Sequence, residues 1–223
     1  MMTVAGSGAA RPLQTSEIWS TAAALVLALA WTLALAHKQE TLNAAAVPRV
    51  EPLFDRWHTR LSPPRPGWRP AVHAMPLLLL LLAACRLPGL LTANLLTIYA
   101  LLLFLRGLTF SATRMPPPRP DCEAYRVGSL YLGGCSDMMY SGHTTLLTLS
   151  ALFLCAYAAP SAWLRAGVAV YFVIALALLV LTRHHYTSDI LVAIFLSVFA
   201  FMALRLRHPA RHKSTGVVLS WSA

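Results

Sequence analysis

The stretch that decides the fold runs from residue 163 to residue 206 and reads WLRAGVAVYFVIALALLVLTRHHYTSDILVAIFLSVFAFMALRL. It contains two apolar runs, 163–181 and 188–206, with a short polar segment between them. About 20 apolar residues are enough for a helix to cross the hydrocarbon core of a bilayer. The stretch therefore predicts two membrane-crossing helices joined by a polar turn.

Apolar runs of the same kind recur along the rest of the chain, which has 57% hydrophobic and only 12% charged residues. Soluble domains carry about twice that charged share. We predict an all-α, six-helix polytopic membrane bundle, with spans at 18–36, 71–85, 90–105, 140–158, 163–181 and 188–206. The predicted domain division is a polar N-terminal segment at 1–16, the six-helix membrane domain at 17–206 and a polar C-terminal tail at 207–223.

The net charge of +10 limits the classes of partner that the chain is expected to bind. A basic chain can bind nucleic acid, but here the Arg residues lie between apolar runs, where anionic lipid headgroups would face them. We therefore expect membrane lipids and no nucleic acid as partners, and we leave a homo-oligomer open. No metal-ligand spacing and no cofactor motif occurs. Cys122 and Cys135 share a polar loop, and whether they pair is left open.

Counting membrane crossings predicts which polar residues lie at the same face. The end of the third span and the start of the fourth are joined by one loop, and the fifth span returns the chain to that side. The start of the sixth span therefore lies there too. We expect Arg106, His143, His185 and Asp189 to converge at this face.

Residues 185–189, HYTSD, indicate an oriented histidine. On a helix, residues four apart share a face, so Asp189 would hold one ring nitrogen of His185 and leave the other for nucleophilic or base chemistry. Tyr186 is a candidate cation–π partner for a quaternary amine, or an ordinary interfacial aromatic. Arg183 is a candidate phosphate ligand, or an interfacial arginine.

Residues 141–144, SGHT, predict an anion site at the start of the fourth span. Ser141 and Gly142 open a helix whose free amides and dipole favour phosphate, and His143 is placed to protonate a leaving group. Arg106 is a candidate bidentate phosphate ligand. Asp137 would attract a cationic headgroup or accept a proton, unless it is a solvated loop acid.

The motifs together resemble those of sphingomyelin synthases and related sphingolipid synthases, within the lipid phosphate phosphatase-like superfamily. Residues 135–144, CSDMMYSGHT, resemble the family's C-G-D-x-x-x-S-G-H-T motif, and HYTSD resembles its H-Y-T-x-D motif. Residues 106–116, RGLTFSATRMP, are similar to its R-x-x-T-x-x-x-T-x-x-P stretch. Residues 51–55, EPLFD, resemble more weakly a Pro- and Asp-containing motif.

The resemblance implies a six-helix catalytic domain with a triad at His143, His185 and Asp189. It also implies transfer of a phospho-alcohol headgroup, with phosphocholine expected, from a glycerophospholipid to ceramide with release of diacylglycerol. Inositol phosphorylceramide and ceramide phosphoethanolamine synthases remain alternatives. One departure is Ser136, where the family usually has Gly.

Other functions remain alternatives to this one. Diacylglycerol as the acceptor is a second transferase alternative. A lipid phosphate phosphatase would share S-G-H and H-x-x-x-D, but its Lys-x6-Arg-Pro motif is absent from the sequence. A transporter or scaffold is disfavoured, because four of the six spans have almost no polar residues at mid-helix.

The expected location is the Golgi, the endoplasmic reticulum or the plasma membrane, and the resemblance places the triad on the lumenal or exoplasmic side. Basic residues favour the cytosolic side of membrane proteins. More Lys and Arg lie on the triad side than opposite it, which favours the reverse orientation. We keep the orientation that the resemblance implies, because phosphate-binding arginines raise the first count.

Overall fold

The computed structural model describes residues 14–45, 52–61, 68–113, 115–118, 125–127, 130–133, 135 and 138–207. Its helices are α1 (Thr15–Ala45), α2 (Arg56–Arg60), α3 (Arg69–Arg86), α4 (Gly89–Ala112), α5 (Gly142–Phe153), α6 (Ala162–Leu181) and α7 (Thr187–Arg207). A π-helical turn, Leu154–Ala158, ends α5.

The chain is a membrane protein by the length and composition of its helices. Three helical segments are long and apolar enough to cross a bilayer: Thr15–Leu42, Gly89–Ala112 and Ala162–Leu181. Three shorter apolar helical segments accompany them, Pro70–Arg86, Gly142–Ala158 and Thr187–Ala203. Six crossings therefore stay a prediction.

Helix α5 lies at the centre of the described bundle and contacts α3, α4, α6 and α7. Its residues from Thr144 to Ser150 are all buried, as expected of a helix that is surrounded by other helices. Its hydroxyl groups are satisfied within the helix: Thr145 Oγ1 donates to Ser141 O at 2.9 Å, and Thr148 Oγ1 donates to Thr144 O at 2.7 Å. The residue that follows Gly142 in this buried helix is His143.

Helix α1 packs along α4 and reinforces its end. Gln39 Nε2 donates to the carbonyls of Phe110 and Ser111 at 3.2 and 3.1 Å. These carbonyls lie in the last turn of α4, where no intrahelical donor is available. The two helices approach closely at Gly107, where an added Cβ would lie 2.8 Å from Trp31 Nε1.

Helix α4 is longer than the sequence predicted, and this changes the position of Arg106. The predicted span ends at residue 105, whereas the helix continues to Ala112. Arg106 is therefore a buried residue inside a helix and does not terminate it. Residues 89–115 contain no helix-breaking Pro, and the packing of α1 supports the extra turns.

The long loop between α4 and α5 contains a short hairpin that adds strand structure to the expected all-α bundle. Strand β1 (Tyr125–Val127) pairs antiparallel with β2 (Leu130–Gly133). Val127 is paired with Leu130, and the register shifts between Tyr125 and Arg126. Strand β2 also contacts α1, so part of this loop is held against the helical bundle.

Candidate active site

The start of α5 forms one wall of the candidate site. Ser141 is the N-cap and its Oγ accepts a hydrogen bond from the Thr144 amide at 3.1 Å, which satisfies one of the free amides of the first turn. Ser141 is fully buried and caps α5, and its substrate-binding role stays a prediction. Gly142 and His143 are the first two helical residues.

Arg106 joins α4 to this helix start. Its Nε donates to the Tyr140 carbonyl at 2.8 Å, and its guanidinium lies 5.3 Å from the centroid of the Phe110 ring. A Cβ added at Gly142 would lie 3.8 Å from Arg106 Nε. The structure thus places the guanidinium beside the positive end of the α5 dipole, an environment that favours an anion.

The turn between α6 and α7 begins with a left-handed residue. Arg183 has φ of 52°, a conformation that costs a non-glycine residue about 1–2 kcal/mol. The Arg183 amide donates to Val180 O at 3.0 Å and the His184 amide to Leu179 O at 3.3 Å, the two bonds of a Schellman motif. Arg183 Nη2 also donates to the His58 carbonyl at 2.7 Å, which holds the turn against α2.

His185 lies in this turn and not on a helix, because α7 begins at Thr187. The predicted helical spacing is therefore wrong for His185, yet its Nδ1 lies 3.6 Å from Asp189 Oδ2. The reason is a capping interaction: Asp189 Oδ2 accepts from the Tyr186 amide at 3.3 Å, as an acidic residue does in the third position of a helix. Both side chains are buried.

Asp55 caps two helices at once. Its Oδ1 accepts from the Trp57 amide at 2.9 Å, which caps α2. Its Oδ2 accepts from the Thr187 amide at 2.7 Å and its Oδ1 from Thr187 Oγ1 at 3.0 Å, which caps α7. Burial would raise the pKa of Asp55, but the hydrogen bonds from Thr187 and the nearby His58 ring hold it below 3.8.

The Tyr186 hydroxyl makes hydrogen bonds to two distant segments of the chain. Its hydroxyl donates to the Pro116 carbonyl at 3.0 Å and accepts from the Leu53 amide at 3.0 Å. Its ring stacks on His58, with centroids 6.0 Å apart, and burial lowers the pKa of His58 from 6.5 against the opposing influence of Asp55. Tyr186 therefore links three segments of the chain, and its predicted role as a cation–π partner stays a prediction.

A fourth histidine, which the sequence analysis missed, completes the site. His73 on α3 lies with its Nδ1 2.9 Å from His143 Nε2. The ring of His184 meets His73 edge-on, with centroids 5.2 Å apart. The signal was available, since His73 is an ionisable residue near the end of an apolar run, on the side to which crossing parity assigns the other histidines.

The predicted triad residues converge. The rings of His143 and His185 lie 6.2 Å apart, and the Ser141 amide donates to the Asp189 carbonyl at 3.3 Å. The starts of α5 and α7 are thus linked directly by their backbones. Asp137 lies outside the described residues. Within the described ranges, no group of three or more His, Cys, Asp or Glu side chains is arranged to hold a metal ion.

The cysteines divide into two kinds. Cys135, seven positions before Gly142 in the chain, is buried and disulfide-bonded. Cys85 and Cys155 are free thiols. Cys122 lies outside the described residues. Disulfides form and persist in oxidising compartments, so the bond at Cys135 bears on the side of the membrane that the site faces.

Comparison with known proteins places this geometry in a family context. Residues 134–206, which include His143, His185 and Asp189, match the family model described as PAP2 superfamily C-terminal. The chain is 37% identical over 123 residues to a phosphatidylethanolamine:ceramide ethanolaminephosphotransferase of Trypanosoma brucei brucei. It is 30% identical over 118 residues to the human phosphatidylcholine:ceramide cholinephosphotransferase 1.

These alignments cover only part of each protein. The trypanosomal alignment covers 48% of this chain and 38% of the relative, and the human alignment covers 47% and 28%. A phosphatidylinositol:ceramide inositolphosphotransferase of Trypanosoma cruzi is 28% identical over 127 residues, with 49% and 37% covered. The resemblance to sphingolipid synthases that the motifs indicated is confirmed by these matches.

Proposed function

We propose that this chain is a sphingolipid synthase, which transfers a phospho-alcohol headgroup from a glycerophospholipid to ceramide and releases diacylglycerol. The observation that carries the proposal is the convergence of His143 with the His185–Asp189 pair, from two separate helix starts. The names of the relatives support ceramide as the acceptor.

In the first half-reaction, His185 is the nucleophile. Its Nδ1 faces Asp189, so Nε2 attacks the donor phosphorus while the bond to the diacylglycerol oxygen breaks. His143 gives a proton to that oxygen, and a phosphohistidine carrying the headgroup remains. The 3.6 Å between His185 Nδ1 and Asp189 Oδ2 exceeds hydrogen-bond distance, and such pairs tighten when substrate binds.

In the second half-reaction, the ceramide hydroxyl attacks the phosphohistidine. His143, now neutral, takes the hydroxyl proton as the new phosphorus–oxygen bond forms and the bond to His185 breaks. Each turnover thus returns both histidines to their starting states. One residue serves as acid and then as base because the second step reverses the geometry of the first.

The charge of the phosphate is balanced by groups that the fold holds rigidly. Arg106 is fixed by the Tyr140 carbonyl beside the first amides of α5, and these fixed donors require little reorganisation when charge develops. Arg183 contributes its positive charge on the other side of the site, where Nη2 is anchored to the His58 carbonyl.

We propose that the site faces the lumen or the exoplasmic side of the Golgi, endoplasmic reticulum or plasma membrane. The disulfide at Cys135, in the loop that leads directly into α5, supports this orientation because reducing compartments do not maintain such bonds. It outweighs the excess of basic residues on the same side, to which Arg106 and Arg183 contribute as site residues.

The donor headgroup is the finer part of the proposal. We keep phosphocholine as the expected headgroup and carry phosphoethanolamine as a second candidate, because the relative with 37% identity is named as an ethanolaminephosphotransferase. Phosphoinositol is a third. A lipid phosphate phosphatase, in which water replaces ceramide, shares the same superfamily and is the rival enzyme class.

One experiment tests the function. Purified protein in liposomes receives fluorescent ceramide together with phosphatidylcholine, phosphatidylethanolamine or phosphatidylinositol in turn, and the products are identified by mass. We expect one phosphosphingolipid and an equal amount of diacylglycerol, with no product from His185→Ala. Gly167→Ala is the matched control, because an added Cβ at Gly167 meets nothing within 4 Å. Release of free phosphate from added phosphatidate, with no ceramide product from any of the three donors, would instead establish the phosphatase.

A further inference from the structure

His73 is a histidine of the site to which the proposed reaction assigns no role. It lies in the second turn of α3, and its exposed side chain reaches across to α5, where Nδ1 meets His143 Nε2 at 2.9 Å. The two rings are tilted by 55°, with centroids 4.9 Å apart. This is a hydrogen bond between two titratable groups and not a packing contact.

The chemistry of this contact limits the protonation of the pair. A nitrogen–nitrogen hydrogen bond needs one N–H and one lone pair, whereas two imidazolium rings would present an N–H on each side. His73 and His143 together therefore hold no more than one positive charge while the bond is intact. Groups coupled in this way titrate as a unit and not as independent residues.

The other charged and titratable groups around the pair come from three further elements. His184 meets His73 edge-on at 5.2 Å, and His185 lies 6.2 Å from His143 between ring centroids. Arg106 on α4 lies beside Gly142, and Asp189 on α7 faces His185. Thr182 donates its hydroxyl proton to Leu178 O at 2.6 Å, so the 2.9 Å contact with its oxygen is donated by His184 Nδ1.

We propose that His73 is a positioning residue, which accepts a hydrogen bond from His143 Nε2 throughout the reaction and so fixes Nδ1 of His143 as the nitrogen that exchanges a proton with the lipid substrates. The inference rests on the proposed function and deepens it. His143 starts as imidazolium, with Nε2–H directed at His73. It gives its Nδ1 proton to the diacylglycerol oxygen and later takes the ceramide hydroxyl proton at the same nitrogen.

The role is comparable to that of Asp189 toward His185: each reacting histidine has a partner on its second nitrogen. Asp189 is charged and His73 is neutral, and this difference suits the nucleophile His185 and the proton donor His143 respectively. A carboxylate beside His185 favours the positive ring that remains after attack, whereas a neutral imidazole beside His143 allows that ring to alternate between charged and neutral forms. Replacing His73 should therefore change the pH dependence of transfer.

Two substitutions separate positioning from simple packing. His73→Asn keeps an amide near the position of Nδ1 and can accept the hydrogen bond, while His73→Leu keeps the bulk and removes it. We expect His73→Leu to lower kcat about tenfold or more and to shift the pH profile of kcat, with KM for ceramide within about twofold of wild type. His73→Asn should restore most of kcat. Unchanged kcat and pH profile in His73→Leu would overturn the proposal.

A second measurement does not depend on turnover. Diethyl pyrocarbonate modifies unprotonated histidine, and mass spectrometry of the peptide that contains His143 gives the rate of modification as a function of pH. We expect the midpoint for His143 to shift in His73→Leu. If wild-type protein transfers no headgroup, the proposed function fails while a shifted midpoint still supports the coupling. Identical midpoints in wild type and His73→Leu would overturn it.

Discussion

Asp55 and Thr187 are joined by two hydrogen bonds although 132 residues separate them in the chain. Asp55 Oδ2 accepts from the Thr187 amide at 2.7 Å, and Oδ1 accepts from Thr187 Oγ1 at 3.0 Å. Thr187 opens the helix that carries Asp189 and directly follows the turn that carries His185, so Asp55 helps to hold the His185–Asp189 pair in position.

Asp55→Asn should reduce headgroup transfer about ten- to a hundredfold, because hydrogen bonds to a charged group contribute about 1.5–3 kcal/mol. The amide retains one acceptor oxygen but presents N–H groups where the carboxylate accepts from Thr187. The measurement is the initial rate with fluorescent ceramide in liposomes. Arg60→Gln, an exposed change on the same short helix, should leave the rate unchanged. A wild-type rate in Asp55→Asn would exclude this positioning role.

Acidification should destabilise the protein in two steps, first as His58 is protonated and then as Asp55 is protonated. The folded-state pKa of His58 is below 6.5. The contribution of His58 to the free energy of unfolding is therefore complete above pH 6.5, and it is lost as the pH falls from there through the folded-state pKa. The folded-state pKa of Asp55 is below 3.8, so its contribution is lost only below pH 3.8. Melting temperatures in detergent between pH 8 and pH 4, about the stable range of most proteins, test the first step. His58→Gln should flatten the decline just below pH 6.5, and an identical decline would count against it.

Asp189→Asn should lower kcat by at least about a hundredfold, because the amide can no longer stabilise a positive His185 ring or fix its tautomer. The capping contact with the Tyr186 amide survives, since the side-chain oxygen can still accept from it. The melting temperature should therefore change little. Ser188→Ala is the control, as Ser188 is exposed next to Asp189. Equal transfer rates for Asp189→Asn and Ser188→Ala would remove Asp189 from the mechanism.

Arg106 should show a graded response in kcat/KM for the donor lipid, with Arg highest, Lys about tenfold lower and Gln lower again. Lys keeps the charge but loses the directed Nε contact with the Tyr140 carbonyl, and Gln loses both the charge and the fork of donors that suits phosphate. Full kinetic curves in donor concentration provide the measurement. If Arg106→Lys and Arg106→Gln had the same kcat/KM for the donor lipid, charge at this position would play no part in donor recognition.

Gly107→Ala should destabilise the protein by about 1–3 kcal/mol, as overpacked sites do. The added Cβ would lie 2.8 Å from Trp31 Nε1 and 3.1 Å from Leu35 Cδ1, so these side chains or the helices that carry them must shift. Gly167→Ala is a matched comparison, since its Cβ enters open space and alanine is the better helix former. Its melting temperature should equal or exceed that of wild type. A higher melting temperature for Gly107→Ala than for Gly167→Ala would refute the packing described for α1.

The sequence predicted the apolar helices and the approach of His143 to His185, because both follow from the positions of the apolar runs. Long apolar runs specify the helices, and crossing parity then assigns Arg106, His143 and Asp189 to one face. Crossing parity also assigns His73 to this face, but no motif marks His73 as a candidate site residue. It lies in an apolar run that contains no recognised motif, and only the approach of α3 to α5 gives it a partner.

Other features depend on contacts that no local pattern encodes. A Schellman motif is usually signalled by glycine, but here Arg183 adopts the left-handed conformation and its side chain is anchored on His58. The helix that carries Asp189 has its first amide capped by Asp55, from a distant segment, so the sequence around residue 187 shows no ordinary cap. The prediction that His185 is helical was wrong for this reason.

The double cap of Asp55 has a consequence for biosynthesis. A nascent chain that has inserted everything up to α6 already contains Arg106 and His143, but the amide that Asp55 requires has not yet been made. Contacts between distant segments form late, after the entropy of closing the intervening chain has been overcome. Synthesis of α7 both supplies Asp189 to His185 and gives this carboxylate its partner. A chain that stops before α7 therefore lacks Asp189 of the proposed triad and leaves the Asp55 carboxylate without the Thr187 amide.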